Sequence, residues 1–359
     1  MSTFAGCGGS STGYVWAGGK VLLAVEWDNN AVATYRLNYP DTDIYHGDIA
    51  KLSVDEVLQR TGLQPGELDI FDGSPPCQGF STAGKRDFDD DRNQLFREYV
   101  RLLRGLQPKV FVMENVSGMV KGKMKLIFAD ILKELKASGY RVSARLLNAM
   151  YLGVPQSRQR MIFIGVREDL GIEPSHPKPQ TRPITVKDAI PYAINIATNS
   201  SMVSRWIDAQ TNVSPTITKT VGNEKGGMIE VEIVEDMLLQ DNRLTRLYDS
   251  VPVGGSAEDV TQKGKNFNNI KKPHPNKPMF SIPKTVTNRG GFSICHWQEK
   301  RLLSIAELKR LASYPDCYQF AGRFVEQWAR IGNSVPPRMM QYVAEHIYEH
   351  ILKMEKVGS

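Results

Sequence analysis

Cysteine is scarce in this chain. There are four in 359 residues, Cys7, Cys77, Cys295 and Cys317. They are too scattered for a zinc pattern and too few for a disulfide scaffold, so a reducing, cytoplasmic compartment is expected. The six histidines are also scattered. His346 and His350 share a helical face but read as part of a solvated C-terminal helix, and no metal is expected. No apolar run approaches the ~18 residues of a membrane span. No basic segment followed by an apolar one opens the chain, so neither a membrane association nor a secretory signal is expected. Repeats and low-complexity stretches are absent. What remains is 41% hydrophobic and 23% charged, ordinary for a globular protein of two domains.

Charge is the first positive feature. The net charge is +6, and the excess is concentrated. Between Arg243 and Arg301, eleven Lys or Arg face four Asp or Glu. The rest of the chain is therefore about neutral. A basic block of this kind is the electrostatic footprint expected for a polyanion.

The first 167 residues alternate short apolar runs with helical patterns. Val21 to Val25, Leu68 to Phe71, Val110 to Met113 and Met161 to Val166 read as strands. Asn30 to Asn38, Gln94 to Leu106 and Met124 to Ser138 read as helices. This alternation predicts a doubly wound α/β sheet, whose ligands bind beyond the carboxyl ends of the strands. From Arg167 to about Arg301, Pro and Gly become frequent and periodicity fades, which predicts a smaller irregular second domain. Leu302 to Ala312 and Val335 to Met354 read as helices, with Pro336 and Pro337 suiting the first turn of the latter.

The most informative stretch is Asp72-Gly73-Ser74-Pro75-Pro76-Cys77-Gln78-Gly79-Phe80-Ser81. Two prolines fix the approach to Cys77, because each locks its own φ and restrains the residue before it. Gly79 then lets the chain swing away. That is a way to mount a nucleophile, although a tight turn with a buried cysteine would explain Pro-Cys alone. Four more motifs accompany it: Phe4-Ala5-Gly6-Cys7-Gly8-Gly9, Met113-Glu114-Asn115-Val116, Gln156-Ser157-Arg158-Gln159-Arg160 and Gly332-Asn333-Ser334-Val335-Pro336-Pro337. Five motifs in this order resemble the DNA (cytosine-5) methyltransferase family, in its bacterial or phage form. The resemblance covers nearly the whole chain apart from about a hundred residues in its second half. Arg301 to Asp316 also resembles the family's penultimate motif.

The resemblance implies a Rossmann-like catalytic and cofactor domain over 1–183 plus 327–359, and a target-recognition domain over 184–326. It implies transfer of a methyl group from S-adenosylmethionine to carbon 5 of a cytosine flipped out of double-stranded DNA. Carbon 5 is a weak nucleophile until a thiolate adds to carbon 6. That role falls to Cys77, with Glu114 as proton donor to ring nitrogen 3. Arg158 and Arg160 are two apart, so on a strand they would share one face. The family likeness sets them near the target cytosine and its phosphate.

For the cofactor, the expected contacts are Phe4, Ala5, Gly6, Cys7, Gly8 and Gly9 in the glycine loop. Glu26 is expected on the ribose hydroxyls, Trp27 against adenine, and Asp48 and Ile49 at the adenine edge. Leu95, Asn333, Ser334 and Val335 complete the set. Cys7 is read as a small loop residue. Gln78 and Ser81, in a stretch to Arg92 whose composition suits a mobile loop, are expected to touch DNA. Arg243, Arg246 and Arg289 are candidates for reading base edges, and Lys271 and Lys272 for phosphate. The expected state is a monomer, with a cognate restriction endonuclease as a companion candidate. Only Met1-Ser2-Thr3 precede Phe4, where the family usually has several apolar residues of a central strand.

Three other readings compete. A catalytically silent DNA-binding relative would not need Cys77, Glu114 and Arg160 together. A tRNA methyltransferase of the same family fits the long basic region and Gly79-Phe80-Ser81 less well. A nicotinamide oxidoreductase explains the glycine loop but leaves Pro76-Cys77 and the twin arginines idle.

Overall fold

The computed structural model describes residues 1–76, 94–120, 124–190, 204–208, 228–232, 235–239, 242–260, 269–288 and 292–358. Cys77, Gln78, Ser81 and Arg289 lie outside the described residues. The chain forms two compact units. The first contains Met1–Asn148, Gln159–Pro179 and Met340–Ser359, and the second Ala149–Arg158 and Gln180–Met339. The second unit thus takes 149–158 and 180–183, before the expected start at 184, and extends past residue 326.

The first unit opens with β1 (Ser2–Thr3), α1 (Gly9–Trp16), β2 (Leu23–Glu26), α2 (Asn29–Asn38) and β3 (Asp43–His46). Then come α3 (Val54–Thr61), β4 (Ile70–Gly73), α4 (Gln94–Leu106), β5 (Val110–Val116), α5 (Met124–Lys136) and β6 (Tyr140–Asn148). After β7 (Gln156–Ser157), which belongs to the second unit, β8 (Gln159–Arg167) returns to the first. The sheet order is β3-β2-β1-β4-β5-β8-β6. The five strands from β3 to β5 are parallel, while β8 runs antiparallel to both β5 and β6. The mixed α/β class expected from the alternation is present. The β6–β8 pair was not anticipated, because Tyr140–Asn148 mixes arginines with apolar residues and has no clean apolar run.

Local sequence explains the elements. Val110, Phe111, Val112 and Met113 are all fully buried, as a central strand covered on both faces requires. On α4, Phe96, Tyr99, Val100, Leu103 and Leu106 fall at helical spacing and point into the core. Asp28 caps α2 by accepting from the Ala31 N–H at 2.9 Å, and Ser53 caps α3 by accepting from that of Glu56 at 3.0 Å. A line of rings crosses the core. Phe71 and Tyr99 lie 4.8 Å apart, Tyr99 and Phe111 6.5 Å, and Phe111 and Tyr140 5.2 Å.

The short β1 sits centrally, between β2 and β4. Its pairing is supplemented by side chains: Ser2 Oγ donates to Asp72 Oδ2 and Thr3 Oγ1 to the Asp72 carbonyl, both at 3.0 Å. The Asp72 N–H also donates to the Met1 carbonyl at 2.9 Å.

In the second unit, β9 (Ser204–Asp208) pairs antiparallel with β10 (Met228–Glu232). Parallel pairs join β11 (Asn269–Lys271) to β13 (Phe292–Ile294) and β12 (Met279–Phe280) to β7. Its helices include α6 (Val186–Ala189), α7 (Asn242–Ser250), α8 (Ile305–Leu311) and α9 (Phe324–Asn333). Its core contains a buried bidentate pair, Arg301 Nη1 and Nη2 to the two Glu307 oxygens, both at 2.9 Å. Glu307 also completes the capping box of α8 with Ser304. Among the described residues, no helix is long and apolar enough to cross a membrane.

Gly165 on β8 lies opposite Phe111. A Cβ there would stand 1.9 Å from Phe111 Cε1. Gly165→Ala is therefore expected to cost roughly 1–3 kcal/mol through overpacking. Denaturant unfolding measures this, and an unchanged midpoint would contradict the packing described.

Candidate active site

The sheet reverses its winding between β1 and β4, and in open α/β sheets this is where a crevice forms. Thr3 and Gly73 are paired across that point. The loop Phe4–Gly8 and the segment Ser74–Pro76 therefore leave from neighbouring strand ends. Phe4, Gly6 and Gly8 all have positive φ, of 53°, 56° and 87°. For Phe4 that conformation is unusual and marks a constrained loop. The loop is pinned by the Ala5 N–H to the Val25 carbonyl at 3.1 Å and the Gly8 N–H to the Ala5 carbonyl at 2.9 Å. Cys7 is buried within it, and α1 starts directly after it.

Glu26 ends β2, as expected. Its Oε2 accepts from the Gly6 N–H at 2.8 Å, and its Oε1 from the N–H groups of Trp27 and Asp28 at 2.9 and 3.0 Å. The carboxylate thus braces the glycine loop and retains acceptor capacity on Oε2. Trp27 is 77% exposed. Asp48 is exposed and caps a short 3₁₀ turn through the Ala50 N–H at 3.0 Å, while Ile49 is buried. Leu95 is half-buried against the core from α4.

Asp72 is a residue to which the sequence reading gave no role. It is buried on β4, and its two oxygens accept from hydroxyls on different elements. Ser2 Oγ of β1 reaches Oδ2 and Tyr14 Oη of α1 reaches Oδ1, both at 3.0 Å. Burial pushes its carboxyl up to about 7, against the pull of these two hydrogen bonds and the Met1 amine, with Glu114 adding to the rise. The only sequence signal is a carboxylate inside the otherwise apolar run Ile70-Phe71-Asp72.

Glu114 and Arg160 come together. Both lie on the β5–β8 pair, diagonally across the ladder, and Arg160 Nε is 2.7 Å from Glu114 Oε1. The next residue, Asn115, points to the other face and is buried. Its Nδ2 donates to the Pro75 carbonyl at 3.1 Å, so β5 holds the strand end that leads into Pro76. The sequence reading missed this use of Asn115.

Arg158 lies between β7 and β8 and belongs to the second unit, whereas Arg160 is on β8 in the first, so the two do not lie on one strand and the strand expectation is corrected. The Arg158 N–H donates to the Gln156 carbonyl two residues back at 3.0 Å, so the chain is not extended there and the alternation breaks. Arg158 is buried in the second unit. Its Nη1 donates to the Ile282 carbonyl at 3.1 Å and to Ser281 Oγ at 3.4 Å, and its Nη2 to the Gly332 carbonyl at 2.8 Å. It anchors the end of α9. Asn333 ends α9, Ser334 caps it in extended conformation, and Val335 is buried.

The basic candidates divide as well. Arg246 on α7 is exposed. The same helix contains Arg243, whose side chain is outside the described set. Lys271 is half-buried, with Nζ 4.0 Å from the Phe280 ring centre. Lys272 is buried, with Nζ 3.6 Å over the Tyr248 ring. Burial pulls its ammonium below the usual range. The expectation that Lys272 presents a phosphate-binding charge is therefore corrected: it is packed against an aromatic face inside its unit. Among the described residues, no group of three or more His, Cys, Asp or Glu is arranged to hold a metal ion.

Two expectations follow. Asp72 has a native carboxyl raised to about 7 from an ordinary 3.8. Its contribution to stability is full below the ordinary value and is lost as pH rises through about 7. Asp72→Asn should therefore stabilise the fold more at about pH 8 than at about pH 5.5, by one to several kcal/mol at ~1.4 kcal/mol per unit. Parallel melting curves at the two pH values measure the gap; an equal effect at both would refute it. Arg158→Lys keeps the charge but loses the fork, and should destabilise by about 2–3 kcal/mol. Chemical unfolding checks this, and a neutral result would deny Arg158 its anchoring role.

Known proteins resemble this chain along nearly its whole length. The family model for C-5 cytosine-specific DNA methylase matches residues 1–349. The chain is 34% identical over 355 residues to the Type II methyltransferase M1.HphI of Haemophilus parahaemolyticus, covering 97% of this chain and 86% of that one. It is 31% identical over 361 residues to the Type II methyltransferase M.NgoPII of Neisseria gonorrhoeae, covering 97% and 94%. Among solved structures, a DNA modification methyltransferase encoded within an E. coli prophage superposes with a TM-score of 0.75 at 25% identity, covering 98% of each chain. The Spodoptera frugiperda DNMT2 structure shares the fold, with a TM-score of 0.63 at 18% identity over 97% of this chain and 98% of that one. A matching family model over almost the whole chain, relatives above 30% identity and a sheet that brings Glu114 to Arg160 lead to one conclusion: the chain belongs to the C-5 cytosine-specific DNA methylase family and is a DNA (cytosine-5) methyltransferase.

Proposed function

We propose that the protein methylates carbon 5 of a cytosine at a specific sequence in double-stranded DNA, as its Type II relatives' names suggest, with S-adenosylmethionine as donor. The observation that carries this reading is the Glu114–Arg160 pair at 2.7 Å on β5–β8, beside the strand end that Asn115 holds through Pro75. Bound S-adenosylmethionine supplies an electrophilic methyl group.

The residues of the first unit suit that cofactor. A Cβ at Gly6 would meet only the Phe4 carbonyl at 3.9 Å, so the loop leaves open space for a ligand. The first turn of α1 opens on the same loop, and first-turn N–H groups lack partners within a helix, which favours an amino-acid carboxylate. Glu26 has acceptor capacity for a ribose hydroxyl, and the exposed Trp27 can cover an adenine. Asp48, Ile49 and Leu95 remain candidates for the adenine side, and Asn333, Ser334 and Val335 for the rest.

In the proposed chemistry, the Cys77 thiolate adds to carbon 6 of the extruded cytosine, and Glu114 gives a proton to ring nitrogen 3. Arg160 fixes the Glu114 carboxylate and stabilises the charge left behind. Carbon 5 then attacks the methyl group. With the thioether S-adenosylhomocysteine as leaving group, a water takes the carbon 5 proton, the carbon 6–sulfur bond breaks to release the Cys77 thiolate, and the nitrogen 3 proton returns to Glu114 as the aromatic ring is restored. Gln78 and Ser81 would touch DNA near the target. Sequence choice is assigned to the stretch from about 184 to 301, with Arg243, Arg246 and Arg289 as base-edge readers and Lys271 among the backbone contacts. A monomer working beside a cognate endonuclease completes the reading.

The test is chemical. DNA carrying 5-fluorocytosine at the site should trap a covalent adduct, since fluorine cannot leave as a proton would. Cys77→Ser should abolish both the adduct and methylation scored by bisulfite sequencing, while DNA binding persists. An adduct that survives Cys77→Ser would overturn the assignment.

A further inference from the structure

The glycine loop is bounded by two hydroxyl residues. Ser2 lies just before it on β1, and Tyr14 follows it on α1. Both hydroxyls donate to one carboxylate, Asp72, which lies on neither element but on the adjoining strand β4. Asp72 also accepts from Thr3 Oγ1 through its carbonyl and donates to the Met1 carbonyl through its N–H. Four bonds thus tie the two flanks of the loop to the strand that continues into Ser74-Pro75-Pro76.

A carboxylate is needed for this clamp because only the ionised form accepts from both hydroxyls at once without offering a proton of its own. An amide, or a protonated acid, must turn a donor toward one of them, and that hydroxyl then accepts in a neutral bond instead of donating to a charge. The position is costly for the fold, since burial disfavours the charge that the clamp requires. A group that strains against its environment at a strand end beside a ligand crevice is a candidate for function.

We propose that Asp72 is a positioning residue for cofactor binding: its ionised side chain holds Ser2 and Tyr14, and so sets the glycine loop in the shape that takes S-adenosylmethionine. The inference rests on the cofactor reading above. Protonation of Asp72 reverses one of these bonds and removes its charge assistance, which loosens that flank and weakens binding, so affinity falls as pH drops through about 7.

Other titratable groups face Asp72. Tyr14 on α1, Tyr99 on α4 and Tyr35 on α2 have phenols raised by burial, so they stay neutral near pH 7. Glu114 on β5 is held by Arg160. The Met1 amine, just before β1 and lowered by burial to about 6, is the one neighbour among the described residues that titrates close by. Variants at Asp72 and Tyr14 separate its effect from that of Asp72.

The experiment is calorimetric titration of S-adenosylmethionine into the full chain between about pH 6 and pH 8.5, without DNA. If only the ionised form is competent, the parent's Kd should rise about tenfold from pH 8 to pH 6, following the competent fraction. Asp72→Asn should bind weakly at every pH, with the parent's pH dependence gone. Titration of the ligand's own groups is common to both proteins and cancels in the comparison. Tyr14→Phe unties one flank, so it should weaken binding at every pH; the lost bond also lowers the Asp72 carboxyl, so the midpoint of the remaining pH dependence should move to higher pH. A purely structural role would move neither midpoint nor slope.

Asp72→Asn with the parent's affinity and profile would overturn the proposal, and so would an unmoved midpoint in Tyr14→Phe. If Asp72→Asn does not fold, Tyr14→Phe alone decides. A parent protein that binds no S-adenosylmethionine at any pH would instead sink the cofactor reading, which is a distinct result.

Discussion

A two-residue strand holds the middle of the sheet. β1 is Ser2–Thr3, and both β2 and β4 pair with it. Backbone pairing over two residues supplies too few hydrogen bonds to fix a register. The structure adds side-chain bonds from Ser2 and Thr3 to Asp72, and extends the ladder through Met1 and Ala5. The crevice at the switch point depends on this join. If β1 slipped, the glycine loop, the Glu26 brace and the approach to Pro75-Pro76 would lose their common reference.

Charge is used in two different ways. In one, an ion is buried and held by its neighbours: Arg301 on Glu307, Arg158 on the Ile282 and Gly332 carbonyls, Lys272 over Tyr248. Such groups fix geometry, because leaving any of them unpaired would cost several kcal/mol. In the other, a charge is held where it can act, as Glu114 is by Arg160. The neighbouring arginines 158 and 160 fall into opposite classes. The chain turns back at Gln156–Arg158 before it enters β8, and the boundary between the two units passes between residues 158 and 159.

Asp72 belongs to neither class in a simple way. Its carboxyl is buried, the Met1 amine acts on it electrostatically, and hydroxyls are its side-chain hydrogen-bond partners among the described residues. The fold would be more stable with a neutral group there at slightly alkaline pH. That the charge sits between the two flanks of a ligand loop is the physical reason to connect it with binding rather than with folding.

Much of this protein was legible in the sequence. Apolar runs and helical spacing located β2, β4, β5, β8 and the helices α2, α4 and α5, because strongly periodic segments leave few alternative ways to bury their apolar faces. The motif order identified the family, and Glu26 ends its strand as the alternation required, whereas β5 runs past the expected Met113 to Val116 and takes Glu114 into its ladder. Other features were decided only by tertiary structure. The arginine-bearing β6 forms because β8 offers it an edge. Arg158 parts from Arg160 because a turn breaks the alternation that residue spacing presumes. Lys272 is inside because an aromatic ring was available to receive it. Asp72 acquires its role from Ser2 and Tyr14, which lie 70 and 58 residues away along the chain. Local sequence specifies which elements form and which chemistry they contain. Partners so distant along the chain are chosen only when the sheet brings them together.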